Sequence, residues 1–450
     1  MNKEGTRNQK ISLGEKPKDG VTIGQPFPRG TGGSDNFRIP SIVRMRDGTL
    51  VASADARWNL EKDGGGLAVI VSRSTDSGAT WHYSFAGHLE DHGKEWNPDA
   101  STLMDPLLLT DGETLYLFAD LFPAGYSISS VSTSNTFSDL ETGFDGKGNL
   151  LLSADGRKSY RYYLCDGKIY EENGVEGYRV DEWFHLYQNG THISNLFFKN
   201  SPFQVHATSY ICMMTSKDGG VSWSFPKLLN IKNKGTVWLV LGPGKGLVTK
   251  DGTLMFSAYD GKNVYLFFSK DKGETWGQVK TGEAKNESQL VELKDGTIRM
   301  FVKYADINKI QYIDFFRQGD TYCAGSLVNT GIDNFSNCMV SVTKYSKTLK
   351  GKEILLVSCP SESSGGTWGG RFHGKIYVFS LDDKNQMYLE DSYPIYEGFF
   401  AYSCMAERED GSIDVLFEDD CISYPAGNYC GVCSHIKYIN MKIPLFFDEI

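Results

Sequence analysis

From about Val21 onward the chain alternates short apolar runs with turn residues. Asp47-Gly-Thr-Leu-Val, Asp111-Gly-Glu-Thr-Leu-Tyr-Leu-Phe, Asp251-Gly-Thr-Leu-Met-Phe, Asp295-Gly-Thr-Ile-Arg-Met-Phe and Asp410-Gly-Ser-Ile-Asp-Val-Leu-Phe each set Asp-Gly directly ahead of an apolar strand. Asp-Gly beside alternating apolar residues signals a hairpin, because both central positions tolerate positive φ. Helical periodicity is nearly absent. Five such hairpins, spread widely along the chain, fit small antiparallel sheets repeated around an axis, which is a β-propeller.

A second pattern runs through the same hairpins. Ser74-Thr-Asp-Ser-Gly-Ala-Thr-Trp81, Ser216-Lys-Asp-Gly-Gly-Val-Ser-Trp223 and Ser269-Lys-Asp-Lys-Gly-Glu-Thr-Trp276 share Ser-x-Asp-x-Gly-x-(Thr/Ser)-Trp, and Ser363-Ser-Gly-Gly-Thr-Trp368 is a degenerate candidate for a fourth copy. Asp and Ser/Thr side chains can bond backbone groups within a turn, Gly supplies the unusual φ, and Trp packs beneath, so these boxes read as structural staples. Ser74 and Ser216 are 142 residues apart, against 53 between Ser216 and Ser269. The aromatic-rich stretch from about Asp145 to Ala207 fills the gap and reads as an insertion whose aromatics form a small core of their own. The expected segments are a tail at 1–20, the first part of a propeller at 21–144, an inserted β subdomain at 145–207 and the rest of the propeller at 208–450.

Hydrophobic residues make up 40% of the 450 positions and aromatics 13%, enough for a sizeable core, and 49 glycines agree with many tight turns. The net charge of −10 argues against nucleic acid or an anionic membrane as the main partner, and means that a site for an anion must be built locally from a few cations. No apolar run is long enough to span a bilayer, and Met1-Asn-Lys-Glu-Gly-Thr-Arg lacks the apolar core of a signal peptide. Nine cysteines leave at least one without an intrachain partner; Cys430-Gly-Val-Cys433 has no second pair at zinc-like spacing and reads as structural, near Cys421.

One arginine breaks an apolar run near the start, in Asp35-Asn-Phe-Arg38-Ile-Pro-Ser-Ile, and a buried guanidinium demands an anionic partner. Phe-Arg-Ile-Pro followed by repeated boxes resembles the sialidase (neuraminidase) family, through nearly the whole chain. The resemblance implies an all-β fold, a six-bladed β-propeller with a small inserted β subdomain. It also implies a retaining exo-α-sialidase that needs no cofactor and works as a monomer on sialylated glycoconjugates, outside the cell or at its surface. A transferase of the same fold, to a second sugar or within the sialic acid ring, and a feebly active sialoglycan-binding protein are the alternatives.

The site residues follow from the same resemblance. The anomeric carbon of sialic acid carries a carboxylate, so a carboxylate nucleophile would approach against like charge; a neutral Tyr deprotonated by a neighbouring Glu avoids this, and sialidases differ from most glycosidases in using one. Tyr402, in Phe399-Phe-Ala-Tyr402, matches the nucleophile, and Glu287, in Asn286-Glu-Ser-Gln289, its base. Asp63 matches the general acid/base, with Glu61 and Asp55 as weaker substitutes. The family holds the substrate carboxylate with three arginines. Arg38 and Arg371 match the first and third, whereas Lys303 stands sixteen residues after Glu287 where the second is expected, with Arg299 or Arg317 as substitutes. Glu418 matches the acid that orients Arg38. Arg57 and Asp105 match contacts around the ring 4-position, and Gln289 is a further candidate for the substrate site.

Overall fold

In the computed structural model, the described residues are 20–34, 36–58, 63–89, 100–133, 142–282, 286–303, 309–333, 338–362, 371–419 and 435–444. Their strands pair as antiparallel meanders in chain order. The first comprises Phe37–Arg44, Leu50–Arg57, Leu67–Ser74 and Thr80–Gly87, with Gly20–Ile23 added along its outer edge. The second joins Thr102–Thr110 and Leu115–Phe122 to Tyr210–Ser216 and Lys227–Leu229. Val240–Leu241 to Gly277–Lys280 form the third, Ser288–Glu292 to Thr321–Asp333 the fourth, Ser341–Leu349 to Met387–Phe399 the fifth, and Ser403–Glu407 to His435–Met441 the sixth.

The cores lie between meanders. Val240, Met255 and Leu266 of the third pack with Leu290, Met300 and Ile313 of the fourth. Phe301 and Tyr312 of the fourth meet Leu355 and Phe379 of the fifth, and Ile376 and Val378 of the fifth meet Val415 and Phe417 of the sixth. Cys404, Leu416 and Ile436 of the sixth then share a cluster with Phe37, Ala54 and Trp81 of the first. The last sheet therefore packs on the first, and the ring closes as an all-β propeller. Strands near the axis are buried on both faces, and Leu50–Arg57 is buried at all eight positions, its two charged residues, Asp55 and Arg57, paired with each other.

The Asp-Gly turns differ from the simple expectation. Met45 N–H bonds Thr49 O at 2.9 Å and Gly48 N–H bonds Met45 O at 3.0 Å, with positive φ at Gly48 but not at Asp47. The loops at Asp251-Gly252, Asp295-Gly296 and Asp410-Gly411 repeat this pattern. These are three-residue loops ending in a glycine bulge, in which only the Gly needs φ > 0. Asp instead contributes a side-chain acceptor: Oδ1 of Asp47, Asp295 and Asp410 takes the N–H two residues on at 2.9 Å.

The boxes staple the outer hairpins as expected. Asp76 accepts from Ser74 Oγ at 2.8 Å and Thr80 N–H at 2.9 Å, Ser74 Oγ accepts Gly78 N–H, and Trp81 is fully buried with its indole N–H on Gly78 O at 3.0 Å. The sequence pattern missed one copy. Ser153-Ala-Asp-Gly-Arg-Lys-Ser-Tyr160 makes the same bonds, with Arg157 at φ 68° where the other boxes have Gly. Ser363–Trp368 lies outside the described residues, as do Cys421, Cys430, Cys433 and Glu61.

Between the second and third strands of the second meander the chain makes two small sheets. One orders Lys168–Tyr170, Tyr162–Cys165, Leu150–Ser153 and Gln204–Val205; the other holds Tyr178–Val180, His185–Gln188 and Thr191–Asn195. Their apolar residues do not form a separate core. Leu152, Ile169, Leu186, Phe197 and Val205 belong to one cluster with Leu103, Leu117 and Val69 of the propeller. Among the described residues, no helix is long and apolar enough to cross a membrane.

Trp81→Ala should cost about 3–5 kcal/mol, the usual range for removing a buried Trp. Urea unfolding measures it, and Trp223→Ala, at a partly buried position, should cost less.

Candidate active site

At one end of the propeller axis the strand heads bring together most of the residues singled out above. Phe37–Arg44 begins with a bulge: its register with Leu50–Arg57 shifts between Arg38 and Ser41, and Ile39 takes φ 60°. Positive φ at a β-branched residue is a costly conformation. Here it aims three donors at one acid. Arg38 Nε donates to Glu418 Oε1 at 3.0 Å, Arg38 Nη2 to Oε2 at 3.2 Å, and Ile39 N–H to Oε1 at 2.9 Å. The second meander repeats the device, with a register shift after Met104, Asp105 at φ 57° and Pro106 next.

Hairpin geometry brings the remaining parts. Lys303 N–H bonds Glu287 O at 2.9 Å, so the pairing of Ser288–Glu292 with Ile298–Val302 extends by one pair and sets Lys303 directly opposite Glu287. Opposed residues project to the same face of a sheet. Glu418 N–H likewise bonds Tyr402 O at 2.9 Å, and Phe400 N–H bonds Arg371 O at 2.7 Å, tying Arg371 beside the Tyr402 segment.

Three cations surround one phenol. The guanidinium carbons of Arg38 and Arg371 lie 5.4 and 5.2 Å from the Tyr402 ring centroid, and Lys303 Nζ lies 5.4 Å from it. The Tyr402 hydroxyl donates to Glu287 Oε1. Lys303 Nζ donates to Glu287 Oε2 at 2.5 Å and to the Tyr402 hydroxyl at 3.1 Å. Ile39, Cys338, Met339 and Ala401 make an apolar floor with Tyr402, which is 3% exposed. Burial and then the Glu287 charge push the Tyr402 phenol well above its ordinary value, opposed by Arg371. Cys338, which the sequence did not single out, is a buried thiol pushed up to about 11 by burial.

Beside the phenol sits an acidic branch. Arg57 gives Nε and Nη2 to Asp55 Oδ2 at 3.2 and 2.6 Å and Nη1 to Asp63 Oδ1 at 2.9 Å. Asp63 is also 3.9 Å from Arg38 Nη1, and its side chain is 57% exposed. Desolvation in the cleft pushes Asp63 up, but Arg57 and Arg38 outweigh it and hold its carboxyl below the ordinary range. Asp55 is fully buried, takes Asp105 N–H on its other oxygen at 2.9 Å, and is pushed up to about 6 by burial against the pull of Arg57. Burial, then the charges of Asp55, Asp120 and Asp63, push Asp105 well above the carboxylate range. Asp120, a further buried acid that sequence reasoning missed, accepts Leu241 N–H.

Four of the candidates are engaged elsewhere. Gln289 is not a pocket residue: two positions along the strand from Glu287, it is 1% exposed and its Oε1 accepts from Ser341 Oγ and Val342 N–H at 3.2 Å, bridging the fourth and fifth meanders. Arg299 cannot replace Lys303, because its guanidinium grips Asp314 at 2.7 and 2.8 Å and lies 3.8 Å from the Tyr312 ring. Arg317 binds Asp251 at the exposed end of its strand. Asp55 is no substitute for Asp63 either, since it is buried behind Arg57.

Residues 185–415 match the BNR repeat-like domain family. Among curated proteins the chain is similar to the anhydrosialidase of Macrobdella decora, with 29% identity over 86% of this chain and 58% of that protein. It is also similar to sialidase B of Streptococcus pneumoniae, with 28% identity over 90% of this chain and 64% of that protein. The chain thus spans less than two thirds of the length of either. A leech intramolecular trans-sialidase, solved in complex with 2,7-anhydro-Neu5Ac, superposes with a TM-score of 0.78 at 25% identity, over 91% of this chain and 68% of that one.

The Arg38–Glu418 pair yields a stability prediction. Glu418→Ala leaves a buried guanidinium and the Ile39 N–H without their shared acceptor, a loss of about 3–5 kcal/mol for a broken buried pair. Glu418→Gln keeps an acceptor oxygen and should lose less. Urea unfolding of both variants checks the order.

Proposed function

From the premise that the chain belongs to the BNR repeat-like domain family, and within it to the bacterial-type sialidases, we propose that this pocket cleaves terminal α-linked sialic acid from glycoconjugates through a covalent tyrosyl intermediate. The observation that carries the reading is the Tyr402–Glu287 hydrogen bond inside a ring of three cations. Burial alone makes a phenol a poor nucleophile, so its proton must leave as the new bond forms, and Glu287 is already the acceptor.

Arg38 and Arg371 receive the substrate carboxylate. A guanidinium suits a planar anion, and Glu418 on Nε and Nη2 turns the Nη1 side of Arg38 toward Asp63 and the pocket. As the phenol oxygen bonds the anomeric carbon, Glu287 takes its proton, the bond to the aglycone breaks, and the departing oxygen takes a proton from Asp63. In the second half, water attacks the anomeric carbon and gives a proton to Asp63; the bond to Tyr402 breaks and Glu287 returns the phenol proton. Configuration is retained because the carbon is displaced twice.

Asp63 enters this cycle in the wrong state. Arg57 and Arg38 favour its anion in the free protein, whereas a general acid must be protonated. A substrate carboxylate on Arg38 offsets one of those charges, so binding raises the Asp63 pKa toward what the first step needs. A second reading, supported by the likeness to the leech protein solved with an anhydro sugar, has a hydroxyl of the sialic acid itself replace water in the second half. Its product is lighter than sialic acid by one water.

Incubation with a fluorogenic α-sialoside and with a sialylated oligosaccharide, followed by mass spectrometry, tests the proposal and separates the two readings. No release of either product sinks both. Tyr402→Phe should lose turnover by ~10³-fold or more while melting like wild type, as loss of a nucleophile does. Asp63→Asn should slow natural sialosides by ~10²–10⁴-fold and an activated aryl sialoside far less, because acid help matters most for a basic leaving oxygen. In the wild type, the basic limb of kcat/KM, which reports the free protein, should fall at lower pH than that of kcat.

A further inference from the structure

The ammonium of Lys303 is the departure from the three-arginine pattern, and its bonds point inward. From one nitrogen it reaches Glu287 Oε2 and the Tyr402 hydroxyl, while Glu287 Oε1 accepts from that same hydroxyl. The three groups close a triangle, buried with Lys303 at 6% and Tyr402 at 3% exposure. We propose that Lys303 is a catalytic residue that stabilises the Tyr402 phenolate, with any contact to the substrate carboxylate secondary to that role.

The proposal rests on the reading of Tyr402 as nucleophile. Before the proton moves, the triangle holds an ammonium, a carboxylate and a neutral phenol; afterwards it holds an ammonium, a neutral carboxyl and a phenolate. The negative charge passes from Glu287 to Tyr402, and both end states keep it in contact with the same ammonium. Lys303 thus removes the need to separate charge inside a buried pocket, and it gives up no proton itself. An arriving substrate carboxylate compensates Arg38 and Arg371, which weakens their hold on a phenolate, while Lys303 stays bonded to the phenol oxygen. Other groups with electrostatic access to this triangle are Arg38, Arg371, Asp63, Cys338 and Tyr259.

Labelling by a 2,3-difluorinated sialic acid isolates the step. Fluoride leaves from the anomeric carbon without help from Asp63, the Tyr402 oxygen bonds that carbon, and the phenol proton goes to Glu287. Adduct formation is followed by intact-protein mass spectrometry over a range of pH and reagent concentration. Lys303→Met should slow the labelling rate constant at saturating reagent by ~10²-fold or more, within the range for acid–base assistance, and Lys303→Arg should recover to within about tenfold of wild type because it restores a donor cation. Matched melting curves, and calorimetric binding of the unsaturated analogue 2-deoxy-2,3-didehydro sialic acid, check that each variant keeps its pocket. A Lys303→Met protein that labels at the wild-type rate once saturated, and loses only affinity for the reagent, overturns the proposal in favour of a carboxylate ligand. Lys303→Arg as slow as Lys303→Met overturns it too. Wild-type protein that carries no label on Tyr402 instead fails the functional reading beneath it.

Discussion

Cations gathered around a buried phenol repel one another, and the rest of the pocket answers that repulsion. At a separation of ~8 Å and an effective dielectric of ~20, each pair of unit charges costs roughly 2 kcal/mol. Three such pairs would rival the net stability of a domain. Glu418 and Glu287 are the compensating anions, and each does more than neutralise. Glu418 fixes Arg38 with two parallel bonds and accepts the Ile39 N–H, so the strained bulge and the ion pair support each other. Glu287 balances Lys303 and holds the Tyr402 hydroxyl. A pocket assembled this way carries enough local positive charge for an anionic ligand although the chain as a whole is at −10.

The same register that builds the sheets sets these pairs. Glu287 faces Lys303 and Tyr402 faces Glu418 as cross-strand neighbours, one pair at the head of the fourth meander and one at the head of the sixth. Charges on adjacent hairpin strands need no loop to bring them together, so their geometry inherits the rigidity of the ladder. Asp63 is the contrast. It sits beyond the end of Leu50–Arg57, more than half exposed, and depends on Arg57 and Arg38 for its position. In the proposed cycle, a proton donor that must serve leaving groups of different shapes gains from such latitude, whereas a nucleophile does not.

Much of this was legible in the chain because the signals were local. The boxes and Asp-Gly turns are closed by bonds within four residues, so the sequence encodes those contacts directly; Glu287 and Lys303, sixteen residues apart across one hairpin, were reached through the family resemblance. Ser153–Tyr160 was missed for an instructive reason: Arg157 occupies the positive-φ position, and a pattern written around Gly cannot see it. The Asp55–Asp105–Asp120 cluster was opaque because its members come from two different meanders and meet only when the first packs beside the second. Gln289 failed from the opposite cause. It stands near Glu287, but its amide oxygen is engaged by Ser341 and Val342 of the next sheet, which no local pattern announces.

The choice of lysine rather than arginine follows from the shape of what is bound. A guanidinium presents parallel donors spread across a plane, and that fork matches two oxygens held on one carbon. Glu418 on Arg38 is such a match. Glu287 Oε2 and the Tyr402 hydroxyl belong to different residues on different sheets, and they converge on a single point at 2.5 and 3.1 Å. A compact ammonium with three rotatable donors meets that geometry from one atom. What looks in the sequence like the loss of a carboxylate clamp is, in the folded pocket, a cation whose shape fits an acid and a phenol that share one hydrogen bond.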